Sequence, residues 1–329
     1  MAMKPSTAAP ANSGTAAAMP LRVSRKAAEA DGVVTLTLTR ADGGRLPDWA
    51  PGAHVDLVLP HGPTRQYSLC GDRWDARSYR VAVLREPAGR GGSSFVHDHL
   101  REGDLVGLGG PRNNFPLAPA REYHFVAGGI GITPLLPMIT QADRLGVPWR
   151  LLYGGRTRSS MAFADELSRS HGDRVSVVPE DEYGRPDLRG WLPEPSPEAK
   201  VYACGPAGLL TGVRDTCARW PAGRVRTERF VAAAGANGAG GRGFDVELRR
   251  SGTTLTVGPD KSLLQVLAEA GVPVLSSCRQ GLCGTCEVAV LDGLPEHRDS
   301  ILDEADRAAG DCMFACVSRS RSERLVLDL

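Results

Sequence analysis

Between residues 21 and 117, apolar and polar side chains alternate in short runs: VVTLTLTR, HVDLVLP, RQYSLC, YRVAVLRE and DLVGLGG. A period of two puts every second side chain on one face, the pattern of a half-buried strand. Turns rich in Gly, Pro and Asp separate these runs, and the close spacing predicts a small antiparallel β-barrel. From 121 to 230 the pattern changes. Strand-like stretches (YHFVAGG, WRLLYGG, RVSVVPE, VYACGP) alternate with helix-like ones (ITPLLPMITQADRLG, AFADELSRSHG, AGLLTGVRDTCARW). Such alternation predicts an α/β doubly wound parallel sheet. Beyond 243, Phe244, Val246 and Leu248 alternate, as do Leu255 and Val257, across a Ser-Gly turn. A helix follows, with Leu263, Leu264, Val266, Leu267 and Ala270 at helical spacing, Asp260 as its expected N-cap and Gly271 as its stop. A hairpin followed by a helix opens an α+β β-grasp. The chain is therefore expected to be multidomain, with three modules.

Composition supplies the boundaries. Residues 1–20 are rich in Ala, Pro, Ser and Thr and read as a disordered tail. Their apolar run is too short for a secretory signal, so a cytoplasmic location with reduced thiols is expected. The stretch 231–243, VAAAGANGAGGRG, is dominated by Gly and Ala and reads as a flexible linker. The modules are then 21–118, 119–230 and 244–329. Thirty-nine basic against 38 acidic side chains give a net charge of +1, which argues against a general nucleic-acid binder. No apolar run reaches the length of about 18 residues that a membrane span needs.

Three of the eight cysteines lie close together in SSCRQGLCGTCEVAVLDG. Cys278, Cys283 and Cys286 have the spacing C-x4-C-x2-C of plant-type 2Fe–2S sites. Two irons need four thiolates converging from one side, and Gly281 and Gly284 let a tight loop turn its amides toward the sulfurs. Zinc is the rival, although paired two-residue spacings would be expected for it. Cys312 and Cys316 both stand where a fourth ligand belongs. The segment from Cys278 to Arg319 resembles the ferredoxin domain of the phthalate dioxygenase reductase family. In that family the last ligand precedes Val-Ser-Arg, which implies Cys316. Cys312, like Cys70 and Cys217, is then a small structural thiol.

In the barrel, Arg65-Gln66-Tyr67-Ser68 puts a guanidinium and a phenol on one face of a strand, suited to a phosphate and an aromatic ring. Gly89-Arg90-Gly91-Gly92-Ser93-Ser94 exposes amides and hydroxyls as anion binding requires, before a helix expected at 94–100. Together these pieces resemble the FMN-binding barrel of the same family. The resemblance implies that Arg65, Gln66, Tyr67 and Ser68 hold the phosphate side and the ring. Val83, Leu84 and Arg85 would line the pyrimidine edge, and Gly91, Gly92, Ser93 and Ser94 would complete the site. No segment resembles the adenine-binding loop of FAD relatives, so FMN is expected.

The turn Gly128-Gly129-Ile130-Gly131-Ile132-Thr133-Pro134 ends a strand and opens a helix, with Pro134 in a position that needs no donor. Its glycines let the chain approach a pyrophosphate. This is not G-x-G-x-x-G. With Cys204-Gly205-Pro206 after a later strand, it resembles the pyridine-nucleotide domain of the ferredoxin reductase superfamily. The resemblance favours NADH, while Arg156, Thr157, Arg158, Ser159 and Ser160 leave NADPH open. By the same resemblance Ser68, Thr133 and Cys204 border the hydride path, and Phe230 packs near the flavin.

The module order resembles the reductases of phthalate dioxygenase, vanillate O-demethylase and similar Rieske oxygenase systems. It implies transfer of a hydride from NAD(P)H to FMN, then of single electrons through a 2Fe–2S cluster to a transiently bound oxygenase, by a monomeric reductase. The alternatives are a zinc-binding interaction module and a reductase serving another acceptor.

Overall fold

A computed structural model describes residues 18–60, 63–231 and 238–329. Most of the expected tail (1–17) and the middle of the expected linker (232–237) lie outside the described residues. Among the described residues, six strands form the first sheet: β1 (Met19–Ala30), β2 (Val33–Thr39), β3 (His54–Val58), β4 (Thr64–Ser68), β5 (Ser78–Leu84) and β6 (Leu105–Arg112). Their order is β4-β3-β6-β1-β2-β5, with antiparallel neighbours throughout. A Leu69–Val81 bridge joins the two edges and closes the barrel, which removes the exposed edges of an open sheet. Leu21, Val23, Leu36, Leu38, Val55, Leu57, Val81 and Val83 fill its interior. Met19 pairs with Leu108, so Met19 and Pro20 belong to the barrel and not to a tail. Helix α1 (Gly92–Asp98) begins two residues before the expected start, because Gly91 at φ 80° turns the chain into it. Lys26 Nζ donates to the carbonyls of Val96, His97 and Leu100, satisfying groups the end of α1 leaves open.

The middle module is a parallel sheet of β7 (Glu122–Gly128), β8 (Trp149–Gly155), β9 (Val175–Pro179), β10 (Ala199–Cys204) and β11 (Val225–Glu228), in the order β11-β10-β7-β8-β9. Helices α2 (Leu135–Leu145) and α3 (Ala164–His171) bury Leu135, Met138, Ile139 and Leu167 against one face. The short helices α4 (Glu180–Tyr183) and α5 (Leu188–Trp191) follow β9, and α6 (Ala207–Thr216) packs Leu210 and Val213 on the other face. Both faces are covered, as a parallel sheet requires. The first of these cores continues into the barrel through Val33, Cys70, Ala82 and Phe115. Tyr202 Oη ties the same boundary, accepting from Ala118 N at 2.7 Å and donating to Pro116 O at 3.1 Å.

The third module orders its sheet β13-β12-β18-β14-β16, from β12 (Phe244–Leu248), β13 (Thr253–Val257), β14 (Glu287–Asp292), β16 (Cys312–Phe314) and β18 (Arg324–Leu327). β15 (Pro295–Glu296) and β17 (Arg319–Ser320) form a small ribbon beside it. The opening strand β12 runs parallel to the closing strand β18, while its other neighbours are antiparallel: a β-grasp. Helix α7 (Leu263–Glu269) buries Leu263, Leu264 and Leu267, and α8 (Glu304–Ala309) lies outside. The N-cap of α7 is Ser262 and not Asp260. Ser262 Oγ accepts from Gln265 N while Gln265 Oε1 accepts from Ser262 N, a reciprocal pair that Asp260 cannot form with Leu263.

The C-terminal part of the expected linker is held in place. Arg319, 1% exposed, donates to the carbonyls of Gly238 (2.7 Å), Lys261 (3.0 Å), Arg242 (3.1 Å) and Gly258 (3.1 Å). Arg298 adds a bond to Ala239 O, and Gly240 N donates to Pro259 O. A flexible reading therefore does not apply to 238–243. No helix among the described residues is long and apolar enough to cross a membrane.

Candidate functional site

The loop between α7 and β14 carries Cys278, Cys283 and Cys286, and Cys316 follows β16; all four are buried. The thiols fall into two interacting pairs, Cys278 with Cys283 and Cys286 with Cys316. Gly281 at φ 67° gives the loop its turn, and a Cβ there would lie 2.7 Å from Val317 Cγ2 and 3.0 Å from Asp299 Cα. Amides face the sulfurs: Gln280 N lies 3.3 Å from Cys278 Sγ and Cys278 N lies 3.5 Å from Cys283 Sγ. The Cys278 thiol, then the Thr285 hydroxyl at 3.2 Å, hold the Cys283 thiol below its usual range. Two facing pairs of buried thiols fit two irons, each taking two protein sulfurs. Among the described residues no three or more His, Cys, Asp or Glu are grouped around one point, and the four sulfurs stand as two pairs. Cys312 stands apart from both pairs, across from Ala289 on β14, and burial pushes its thiol up to about 11.

Beside this loop lies β4. The Arg65 guanidinium reaches the Arg90 carbonyl at 2.8 Å and lies so close over Gly92 that a Cβ there would sit 2.7 Å from Arg65 Cγ. The strand and the glycine-serine loop therefore meet. Ser68 Oγ is sealed without a partner, and Tyr67 packs on the barrel core, where burial pushes its hydroxyl up to about 12. A cavity of about 270 Å³ opens between Thr64, Arg65 and Arg90 on the barrel and Ser276, Ser277 and Cys278 on the cysteine loop. A guanidinium held over the glycines by the Thr64 and Arg90 carbonyls, a glycine cradle and an orphaned hydroxyl fit a phosphorylated aromatic cofactor.

The side chains of the three residues expected at the pyrimidine edge point in three directions. The Val83 side chain is wholly inside the barrel, and its carbonyl is taken by His97 Nε2 at 2.9 Å, so Val83 presents no side chain to a ligand. Leu84 faces the middle module. Arg85 forms a two-pronged pair with Asp98 at 2.6 and 2.9 Å on the barrel surface. Ser93 Oγ accepts from Glu86 N, which commits one lone pair of that hydroxyl to the loop.

The two glycine motifs of the middle module meet at the carboxyl ends of β7 and β10, where Ala127 pairs with Cys204. A Cβ on Gly131 would lie 2.3 Å from Cys204 O, and one on Gly128 would lie 2.6 Å from Pro206 Cδ. A Cβ on Gly205 would lie 2.9 Å from Gly128 Cα. Gly129, at φ 53°, faces open space, so its side of the turn is free to approach a ligand. The turn from Gly129 to Ile132 is a 3₁₀ helix, and α2 starts only at Leu135 with Pro134 as its N-cap. Thr133 is buried with Oγ1 on Ile130 O, which pins this turn. Cys204 is fully enclosed, and burial pushes its thiol well above the usual range, so it does not supply a thiolate nucleophile. Arg156 is exposed beyond β8, and Phe230, 40% exposed, follows β11.

Glu228 escaped the motif reading although it sits in the quoted Glu-Arg-Phe segment. It pairs with Cys204 across β10 and β11, its Oε2 is buried without a partner, and burial pushes its carboxyl up to about 8. The folded state thus keeps a proton that the unfolded chain releases near the ordinary carboxylate value of 4.5. Stability from this group is full below that value and is lost as pH rises through about 8. Glu228→Gln is expected to flatten this dependence: its Tm advantage over the native chain grows from pH 5 to pH 9. A Tm difference that stays constant over that range contradicts the assignment.

Residues 246–321 match the family model for the 2Fe-2S iron-sulfur cluster binding domain. The chain is 42% identical over 318 residues to the phenoxybenzoate dioxygenase subunit beta of Ectopseudomonas oleovorans, covering 96% of this chain and 98% of that one. It is 39% identical over 315 residues to phthalate dioxygenase reductase of Burkholderia cepacia, covering 94% and 97%. A solved phthalate dioxygenase reductase, a modular structure for electron transfer from pyridine nucleotides to a 2Fe–2S centre, matches with a TM-score of 0.68 at 38% identity over 95% of this chain and 98% of that one. An intact type IV self-sufficient cytochrome P450 monooxygenase matches with a TM-score of 0.88 at 41% identity. The match covers 95% of this chain and 41% of that longer one.

Proposed function

Because the chain belongs to the phthalate dioxygenase reductase family, we propose that it is the reductase component of a two-component oxygenase or O-demethylase system. FMN, when bound, would supply an acceptor for the hydride of NAD(P)H and a one-electron donor to a 2Fe–2S cluster that serves the oxygenase. Arg65 and the Gly91–Ser94 loop hold the flavin phosphate, Tyr67 supports the ring, and the Gly128–Gly131 turn with Cys204-Gly205-Pro206 receives the pyrophosphate. Cys278, Cys283, Cys286 and Cys316 hold the two irons. The observation that carries this reading is the meeting of the cysteine loop with the Arg-Gln-Tyr-Ser strand: Gln66 Nε2 lies 2.9 Å from the hydroxyl of Ser277, the residue before Cys278.

NADH is the preferred donor. Arg158 is committed to Asp165 at 2.6 and 3.1 Å, and Thr157 and Ser160 cap each other's backbone. The acidic helix α4 adjoins the same loop, with Asp181 N on the Arg156 carbonyl. A 2′-phosphate there meets more carboxylates than free guanidinium groups, whereas a ribose diol finds acceptors. In steady-state reduction of an artificial acceptor, kcat/KM for NADH is expected to exceed that for NADPH by at least about tenfold. Asp165→Asn, which frees Arg158, should narrow the ratio. A native preference for NADPH contradicts this assignment.

The partner we favour is a Rieske-type terminal oxygenase, bound transiently by a monomeric, cytoplasmic reductase. A haem monooxygenase is the second reading, favoured by the similarity to the self-sufficient cytochrome P450. Reduction rates of purified oxygenases of both classes, measured with this reductase and NADH, separate the two.

A further inference from the structure

We infer that Arg112, Asp56 and Gln66 form a bracket on the barrel that docks the cysteine loop, with Arg112 as a positioning residue for the electron step between the two modules. The inference rests on the function proposed above. The three residues stand on neighbouring strands β6, β3 and β4, with Asp56 directly across from Gln66. Asp56, its side chain 9% exposed, lies 2.6 Å from an Arg112 guanidinium nitrogen and accepts from Gln66 Nε2 at 2.6 Å. From this barrel pair two arms cross to the third module. Gln66 Nε2 also reaches Ser277 Oγ at 2.9 Å, and Arg112 Nε donates to the Cys283 carbonyl at 3.3 Å. Gly284 approaches so closely that a Cβ on it would sit 3.2 Å from the Asn114 amide, so the contact is packed as well as hydrogen-bonded.

Both arms end on or beside Cys278 and Cys283, the two ligands of one thiol pair. Other links between modules, Arg90 with Gln280 at 2.9 Å and Arg226 with Asp303 at 3.1 Å, are more exposed and hold less. The bracket differs because its carboxylate is nearly buried. Removing the guanidinium leaves the Asp56 carboxylate with Gln66 alone and no counter-charge, and the Cys283 carbonyl without its Arg112 donor. If Arg112 served the barrel alone, its Nε would have no reason to reach across to the cysteine loop.

The test uses Arg112→Ala, Arg112→Lys and Ser277→Ala as holoenzymes carrying flavin and cluster. Ser277→Ala cuts one arm from the far side without touching the barrel. Rapid mixing with NADH reads flavin bleaching and cluster reduction as separate phases, and solution scattering reads the radius of gyration. In Arg112→Ala, cluster reduction is expected to slow by about tenfold while flavin bleaching keeps its native rate and the radius grows. Arg112→Lys should give a smaller change of the same kind, and Ser277→Ala a smaller slowing of cluster reduction. Native cluster reduction and radius in both Arg112→Ala and Ser277→Ala overturn the inference. So does an Arg112→Ala defect shared equally by both phases while Ser277→Ala is native, since that places Arg112 in the barrel fold alone. Native protein that binds neither flavin nor iron defeats the functional reading itself, and this is visible in the absorption spectrum before any variant is made.

Discussion

Cys316→Ser is expected to strip the 2Fe–2S cluster, while Cys312→Ser keeps it. The two thiols are four residues apart and were equal candidates by spacing alone. Their surroundings differ. Cys316 is buried against Cys286 and completes the second thiol pair, whereas Cys312 lies on β16, partly exposed, with Glu287 and Asp311 among the charges around it. A serine oxygen is a harder and less readily ionised ligand than a thiolate, so the iron it should hold is lost. Reduction of a cluster-dependent acceptor should then fall by at least about 100-fold, more than the loss of an outer-shell partner costs. Flavin-level reduction of ferricyanide should persist in both variants. Iron content and the visible spectrum check the assignment directly. Retention of a full cluster by Cys316→Ser, or its loss in Cys312→Ser, reverses the ligand set.

Arg319→Ala is expected to carry a stability cost on the scale of emptying a core position. The guanidinium is 1% exposed, lies 5.2 Å from the Phe244 ring centroid, and donates to four carbonyls drawn from 238, 242, 258 and 261. Its removal orphans four acceptors and opens a gap between the segment entering the third module and the turn before α7. Each buried acceptor left open costs about 1–3 kcal/mol, but relaxation and water entry recover part, so a loss of roughly 3–5 kcal/mol follows. Lysine keeps the charge and lacks the planar fork, so Arg319→Lys should fall between. Hydrogen exchange at 238–243 and the thermal unfolding of the third module read both effects. Native protection and native Tm in Arg319→Ala would sink the clasp.

Much of this was legible in the residues. Alternation in VVTLTLTR and YRVAVLRE marked the barrel strands because one face of each is buried and the other meets a second surface. The same parity speaks against Val83, Leu84 and Arg85 acting together. Tyr79, Val81 and Val83 point into the barrel, while Ala82 and Leu84 pack on the middle module. The glycines of the pyrophosphate turn were readable because no other residue fits where a Cβ would lie 2.3 Å from the Cys204 carbonyl. Other features rest on partners far apart in the chain. Arg319 holds backbone carbonyls, which have no residue identity for a motif to record. Arg112 and Gln66 reach residues more than 170 positions away, and only the docking of two modules makes them neighbours. The cap of α7 failed for a local reason: Asp260 and Ser262 both suit an N-cap, and the reciprocal bond from Gln265 decides between them.

On the proposed function, one chain carries electrons from a nicotinamide through a flavin to a two-iron cluster. Anaerobic addition of NADH to the full-length holoenzyme, followed by visible absorption and electron paramagnetic resonance, tests it most directly. The flavin and iron–sulfur bands should both bleach, and the signal of a reduced two-iron cluster should appear in the native chain and in Cys312→Ser but not in Cys316→Ser. A colourless protein that takes up only zinc, or flavin bleaching with no cluster signal in the native chain, contradicts the account.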